Sequence, residues 1–530
     1  MKPISLIGGF LTVGVWTLLS RVLGFVRDIM IANYLGTGNV AQAFLVAFSL
    51  PNMFRRFFAE GAFNMAFVPM FAKRLEQGGE EEATEFAQSA FVAMTVLLTA
   101  FTILGILAMP LLVTAMAAGF RGDERFDLAV EYGRLAFPYI LFISLAALVS
   151  GVLNATGRFV AAAAAPVLLN IVFVVAILAG AAMGRPVSET LGLGIDATLG
   201  LRVGDSLALS VPIAGAAQLA LVWWAAHRAG FTLRLRRPRL TPELRRLAVI
   251  AAPAALAGGV VQVNLLVGRQ VASFFDGAVA WLSYADRLYQ LPLGVVGIAV
   301  GVVLLPDLSR RLSAGDAAGG RDAFNRASEL ALALTIPAAT ALLVIAVPLV
   351  SVLFQRGAFG PDDTVATALA VMVYGLGLPA FVMQKSLQPL YFAREDTRTP
   401  FLYALVAMVV NAAAAIGLAP FVGYIAAAFG TTLAGWAMVV LLWRGSRRMG
   451  DAARLDLRFR SRLWRICLAS AIMGGVLWSA SASMTPFLMT ASIRYPALAI
   501  LVALGIAVYF AAGHLLGAFR LSEFRRALRR

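Results

Sequence analysis

The 530-residue chain has one cysteine, Cys467, and two histidines, His227 and His514. A single thiol excludes an internal disulfide and any cysteine-based zinc site, and two imidazoles without ligand spacing leave a metal centre without donors. Charged residues make up 14% of the chain against 60% hydrophobic ones, too little polar surface to cover a soluble globule. No G-x-x-x-x-G-K, G-x-S-x-G or H-E-x-x-H motif is present, and no separate soluble stretch. An ATP-driven pump carrying its own nucleotide site is thereby disfavoured. Negative charge is scarce too, with 28 Asp and Glu against 44 Lys and Arg, a net charge of +16.

What the chain has in abundance is apolar sequence, with a mean hydropathy of +0.84. Continuous runs of roughly 20 apolar residues, the length that crosses a bilayer as a helix, recur from end to end. Because the runs are unbroken and not alternating, they read as helices and not as barrel strands. The expectation is an all-α integral membrane protein with fourteen spans, near 5–35, 39–72, 86–118, 130–154, 158–183, 206–227, 247–275, 278–306, 327–354, 365–392, 400–418, 421–443, 464–484 and 495–517. The first apolar run has no small-residue cleavage site and continues into the next charged stretch, so it reads as a retained span. Pro51, Pro138, Pro166, Pro253, Pro292 and Pro379 fall inside spans and predict kinks or tilts.

With both termini cytoplasmic, 30 of the 44 Lys and Arg fall in cytoplasmic segments, 7 in external ones and 7 within spans. That bias fits the positive-inside rule and requires an even number of spans. The basic stretches 228–246 and 444–465 then read as topology determinants near anionic headgroups, and no separate basic domain points to nucleic acid.

The chain also repeats itself. FSLP ending at Pro51 matches YQLP ending at Pro292, PMFAKRLEQG from Pro69 matches PDLSRRLSAG from Pro306, AMPLLV at Pro110 matches AVPLVS at Pro348, and Pro138 pairs with Pro379. The offsets stay between 237 and 241 residues. Spans one to six and seven to twelve are therefore two copies of one unit, an N-lobe over 1–230 and a C-lobe over 231–450, with the last two spans an addition over 451–530. An even number of spans per copy makes the copies parallel, a transporter architecture with a site near the bilayer midplane between them.

The costly residues are the charges inside spans: Arg21, Arg27, Arg55, Arg56, Arg269, Arg287 and Lys385 against Asp28, Glu60 and Asp286. Each charge at a bilayer centre costs roughly 2.5–3.5 kcal/mol unless it faces water, a partner or a ligand. All but Lys385 lie in the equivalent spans one, two, seven and eight. Guanidinium forks match the oxygens of phosphate or diphosphate, so Arg21, Arg27, Arg55 and Arg287 are the candidate substrate-binding residues. Asn52 and Gln290, one turn from Arg55 and Arg287, are candidates to orient them or to donate to the substrate. Bland readings stand beside these. Arg21 and Asp28 share a helix face and could neutralise one another, Arg56 and Glu60 suit an i, i+4 pair, and Arg269 could snorkel to the interface. Lys385 sits in a proline-flanked span, and Gly294, Gly297 and Gly301 suit a packing stripe. In the second copy only the amides Asn264 and Asn411 are in place to serve a cation, so no coupling ion is assigned and no cofactor is expected.

SRVLGFVRD, LPNMFRRFFAEGAFNMAFVP, YADRLYQLP, VLLPDLSRRL and YFAREDTRTP resemble the MurJ/MviN family, lipid II flippases within the multidrug, oligosaccharidyl-lipid and polysaccharide exporter superfamily. The resemblance covers essentially the whole chain. It implies fourteen helices, a groove for the polyprenyl tail between the last two, and alternating access that moves lipid II, a diphosphate-linked disaccharide-pentapeptide, to the periplasmic leaflet of a bacterial inner membrane. Its partners would be lipid II, membrane lipids and the peptidoglycan synthesis machinery. The family's cavity arginines fall on Arg21, Arg27, Arg55 and Arg287, with Ser20, Asn52, Glu60 and Asp286 at accompanying positions and Asp28, Arg56, Gln290 and Lys385 as further supporting or gating candidates. The chain departs from some members at Gln42, Ser49 and Gln290, where those carry an acidic residue, a lysine and a glutamate. A flippase for another polyprenyl-diphosphate glycan is the nearest alternative. A drug or cation exporter should line its cavity with carboxylates, and a membrane-embedded lipid enzyme needs a positioned acid, base or metal.

Overall fold

A computed structural model describes residues 6–55, 62–183, 202–232 and 241–519, and every regular element among them is helical. The chain forms two compact units, one comprising 1–266 with Arg356–Phe359, the other 267–355 with 360–530.

The first unit holds α1 (Leu6–Leu35), α2 (Asn39–Arg55), α3 (Ala62–Leu107), α4 (Met109–Met116), α5 (Glu124–Ala136), α6 (Tyr139–Ala155), α7 (Phe159–Met183), α8 (Val203–Arg228) and most of α9 (Pro242–Ala272). In it α1 packs on α7, α2 on α5, α3 on α6, and α8 on both α6 and α7. Its centre is aromatic: the Phe48 ring lies 5.2 Å from Phe173 and 5.8 Å from Phe44. The segment Arg356–Phe359 belongs here because the Ala358 N–H donates to the Asn33 carbonyl at 2.9 Å.

The second unit holds α10 (Ala278–Ser313), α11 (Ala317–Val344), α12 (Ala346–Phe354), α13 (Pro361–Phe392), α14 (Arg398–Val422), α15 (Ile425–Ser446), α16 (Leu457–Met489) and α17 (Arg494–Leu515). Here α10 packs on α13, α11 on α13, and α15 on both α13 and α14. The α10–α13, α11–α13, α15–α13 and α15–α14 pairs repeat α2–α5, α3–α6, α8–α6 and α8–α7 of the first unit, while among the described residues the α1–α7 pair is not repeated between α9 and α14. α7 and α14, both 25 residues long, start 239 positions apart at Phe159 and Arg398.

Ten helical stretches among the described residues are long and apolar enough to cross a membrane, and the chain is a multi-pass membrane protein. α14 shows why such helices are stable in lipid and not in water. It buries Pro400, Ala407, Asn411 and Ala415 along one stripe while Phe401, Leu402, Val406, Val409, Ile416 and Phe421 point outward. Small residues inside and large apolar ones outside is the pattern of a span packed against its neighbours in a bilayer.

Three expected spans divide, the fourth at Phe137–Pro138 between α5 and α6. The third breaks at Ala108 between α3 and α4, and the ninth breaks at Ile345 between α11 and α12. Pro110 and Pro348 sit within the first turn of the new helices, where a missing N–H costs nothing. The expected loop between the second and third spans is itself helical. α3 runs through it, interrupted at Gly79 (φ 75°), and the second copy turns at the matching Gly315 (φ 74°). Both positions need the left-handed conformation that glycine adopts without a Cβ penalty.

The last two helices join the second unit through an ionic cluster and an apolar seam. Glu329 on α11, 7% exposed, accepts from Arg326 and Arg462 and lies 3.7 Å from Arg458. Arg326 also pairs with Asp456, the residue that caps α16 by accepting from the Phe459 N–H. Below the cluster, Ile466, Met473 and Leu477 of α16 and Leu498, Leu501 and Tyr509 of α17 pack with Ala333 of α11.

Candidate functional site

Ser20, Gly24 and Arg27 follow one another at i, i+4 and i+7, so they line one face of α1. That face meets α7, and the residue it meets is Asn170. The Asn170 amide nitrogen donates to the Ser20 carbonyl at 2.9 Å and approaches the Ser20 hydroxyl at 3.4 Å and the Pro166 carbonyl at 3.3 Å. Its oxygen accepts from Arg27 Nη1 at 3.1 Å.

Arg27 is 5% exposed and Asp28 is 7% exposed. A guanidinium removed from water this far must be paired and hydrogen-bonded, and it is: Nε and Nη2 both reach Asp28 Oδ1, at 2.9 and 2.7 Å. The Phe173 ring lies 5.4 Å from the guanidinium carbon, within cation–π range. The carboxylate of Asp28 is thus committed to Arg27, its chain neighbour. The carboxylate weighed above as a partner for Arg21 pairs with Arg27. The i, i+7 spacing does put Arg21 and Asp28 on one face, but the long Arg27 side chain folds back and takes the carboxylate first.

Arg21 stands on the exposed side of α1 and makes no hydrogen bond or ion pair with the described residues. Arg55, half-buried, is the last residue of α2, where a cation complements the helix dipole. The Asn52 amide donates to the Phe48 carbonyl one turn back, at 2.8 Å. Gln42 is buried, and the Ser49 hydroxyl donates to the Leu45 carbonyl. Arg56 and Glu60 lie outside the described residues.

On α10, Asp286 accepts from the Gln290 amide, four residues on. Gln290 thus bonds a residue of its own helix, one turn back. Arg287 follows Asp286 directly and is half-buried. The Tyr289 ring carries this turn onto α13, 4.9 Å from Tyr374 and 5.6 Å from Phe381. Lys385 lies exposed on α13. Among the described residues, no three His, Cys, Asp or Glu side chains cluster as metal ligands.

The structure thus gathers Ser20, Arg27 and Asp28 in the first unit and Asp286, Arg287 and Gln290 in the second. The residues that sequence reasoning missed are Asn170 and Phe173. A signal existed in the form of one amide in an otherwise apolar AAAAAPVLLNIVFVV, 241 residues before Asn411, the offset that also separates Pro51 from Pro292.

The family model described as "Lipid II flippase MurJ" matches residues 31–497. The chain belongs to the MurJ family. The probable lipid II flippase MurJ of Rhizobium meliloti (strain 1021) is 44% identical over 99% of this chain and 97% of its own length. The lipid II flippase MurJ of Burkholderia cenocepacia is 33% identical over 84% of each. A solved MurJ structure in an inward closed conformation superposes with a TM-score of 0.76 at 25% identity, covering 98% of this chain and 99% of that one. An inward-facing multidrug transporter of the MATE family shares the fold, with a TM-score of 0.65 at 14% identity over 82% of this chain and 95% of that chain.

Proposed function

We propose that this chain is a lipid II flippase of a bacterial inner membrane, a transporter and not an enzyme. It carries the diphosphate headgroup from the cytoplasmic to the periplasmic leaflet by alternating access. The observation that carries the reading is a surplus of arginine inside apolar helices of a chain that belongs to the MurJ family. Arg21, Arg27, Arg55 and Arg287 are the residues assigned to the diphosphate, because guanidinium groups stay charged when desolvated and bind such oxygens bidentately.

The resting state of Arg27 says how an anion would be admitted. The charge of Arg27 is paired with Asp28. A diphosphate entering beside it offers more negative charge and more acceptor oxygens than one carboxylate, so it competes with Asp28 for the guanidinium. Arg21, which carries no such internal partner among the described residues, is the more immediate attractor.

No nucleotide motif supplies energy, so a gradient or the membrane potential is assigned the driving role, without a named ion. The potential acts on a bound charge with about 2.3 kcal/mol per 100 mV. Both termini are assigned to the cytoplasm on the positive-inside bias, and α16 and α17 are assigned to the lipid tail.

Complementation of a flippase-depleted bacterium tests the site. Arg21→Ala, Arg27→Ala, Arg55→Ala and Arg287→Ala should each impair growth at normal membrane abundance. Full rescue by all four would remove it.

A further inference from the structure

Asn170 is a neutral residue on a helix that carries none of the candidate arginines, yet it bonds Arg27's helix at two places, Ser20 and Arg27 itself. Its two amide faces do different things. The nitrogen is spent on the backbone and hydroxyl of Ser20 and on the Pro166 carbonyl of its own helix. The oxygen, left as an acceptor, takes Arg27 Nη1 at 3.1 Å. The amide is 5% exposed, so water does not substitute for these bonds. A Cβ at Gly24, between the two contact points on α1, would lie 3.4 Å from the Asn170 oxygen. α1 and α7 therefore run close together at this turn.

Asp28 fixes Arg27 from one side only, through Nε and Nη2 converging on a single oxygen. A guanidinium held on that edge can still swing about it. The contact from Asn170 to Nη1 fixes the other edge, and the Phe173 ring closes one face. With both edges held, the plane of the fork is set.

We infer that Asn170 is a positioning residue for the diphosphate-binding arginine Arg27. It locks α1 to α7 at Ser20 and presents the Arg27 guanidinium in one orientation, which an incoming diphosphate meets after displacing Asp28. The inference rests on the arginine reading given above, extending it to a residue that touches no substrate.

The test is a double-mutant cycle on lipid II affinity, measured with the purified full-length protein in nanodiscs by native mass spectrometry or thermophoresis. The proteins are wild type, Asn170→Ala, Arg27→Ala and the double variant, with unfolding temperatures recorded for all four. Asn170→Ser, too short to reach α1, stands in where the alanine variant does not fold. Arg27→Lys, which keeps a cation beside Asp28, stands in for Arg27→Ala. Asn170→Ala alone should weaken lipid II binding about five- to twentyfold, less than the loss of a charge-assisted contact to the diphosphate itself, because Asn170 acts through Arg27. In the Arg27→Ala background it should weaken binding no further. Equal losses in both backgrounds would make Asn170 a structural residue and overturn the inference, as would wild-type affinity in Asn170→Ala. Wild-type affinity in Arg27→Ala is a different result: it would remove Arg27 from the substrate site and take the positioning role with it.

Discussion

The two six-helix copies share a scaffold and differ in what they put inside it. Most neighbour pairs and the breaks at Ala108 and Ile345 recur in the second copy. The polar content does not. Asn170 in α7 turns toward α1 and holds an arginine, whereas Asn411 at the matching place in α14 is packed where α15 comes close. A Cβ on Gly430 would lie 2.5 Å from the Asn411 oxygen. The helices that open the fourth span are capped by opposite devices. Asp123 accepts from the Arg125 N–H ahead of α5, while the Gly360 N–H ahead of α13 donates back to Asp363. Packing of small and apolar residues is thus what duplication preserves, and the placement of charge is free to diverge. An asymmetric cargo, with a charged head at one end only, can exploit such a divergence.

The largest break in that comparison should come from the arginines. Arg55→Ala in the first copy and Arg287→Ala in the second are each expected to lower lipid II affinity about 10- to 100-fold, the loss of one charge-assisted contact. Binding measured in nanodiscs would report it. If only first-copy variants lose affinity, the second copy is scaffold alone.

Next in size is Asp28→Ala, which strips the buried Arg27 of its carboxylate. Removing one member of a buried ion pair costs about 3–5 kcal/mol, and the pair here is nearly sealed from water. A clear drop in unfolding temperature in detergent is expected. No drop would mean that Arg27 finds another partner at once.

Glu329→Ala probes the joint between the second copy and the added helices. It leaves Arg326, Arg458 and Arg462 without their shared acceptor. Because Arg458 is exposed, Arg326 is only partly buried and Arg326 keeps Asp456, the loss should be smaller, about 2 kcal/mol. Hydrogen exchange should speed up in α16 and α17 and stay unchanged in α1 to α8.

Smallest is the cap. Asp123→Ala should cost about 1 kcal/mol and remove part of the acid sensitivity of the first unit. Burial opposes the charge on Asp123, but the hydrogen bonds and charge of Arg125 outweigh it and hold the carboxyl below its ordinary value. A depressed folded-state value means that the stabilisation is present above about pH 4 and is lost as pH falls further. The unfolding temperature of Asp123→Ala should therefore fall less steeply than wild type below that pH.

Much of this fold was legible because a membrane span announces itself by length and hydropathy, and because prolines mark a repeat without side-chain detail. The splits at Ala108 and Ile345 were not, since a hydropathy window averages across a one-residue break. The helical stretch before Gly79 was hidden for the opposite reason: KRLEQG is polar, and polarity between two spans reads as a loop. Within the site, charge could be located but its pairing could not. Counting i, i+4 neighbours passes over an arginine that bonds the residue next to it, as Arg27 does with Asp28. A neutral amide such as Asn170 carries no charge signature at all, and only the packing of α1 on α7 gives it a role.

The central claim is that the arginines are there for the diphosphate, and one comparison of ligands tests it most directly. The affinity of the wild-type protein in nanodiscs is measured for lipid II and for the same lipid-linked headgroup with its diphosphate replaced by an uncharged linker. The account predicts at least a tenfold preference for the diphosphate, lost in a protein carrying Arg21→Ala, Arg55→Ala and Arg287→Ala together. Equal affinity for both ligands in the wild-type protein would contradict it.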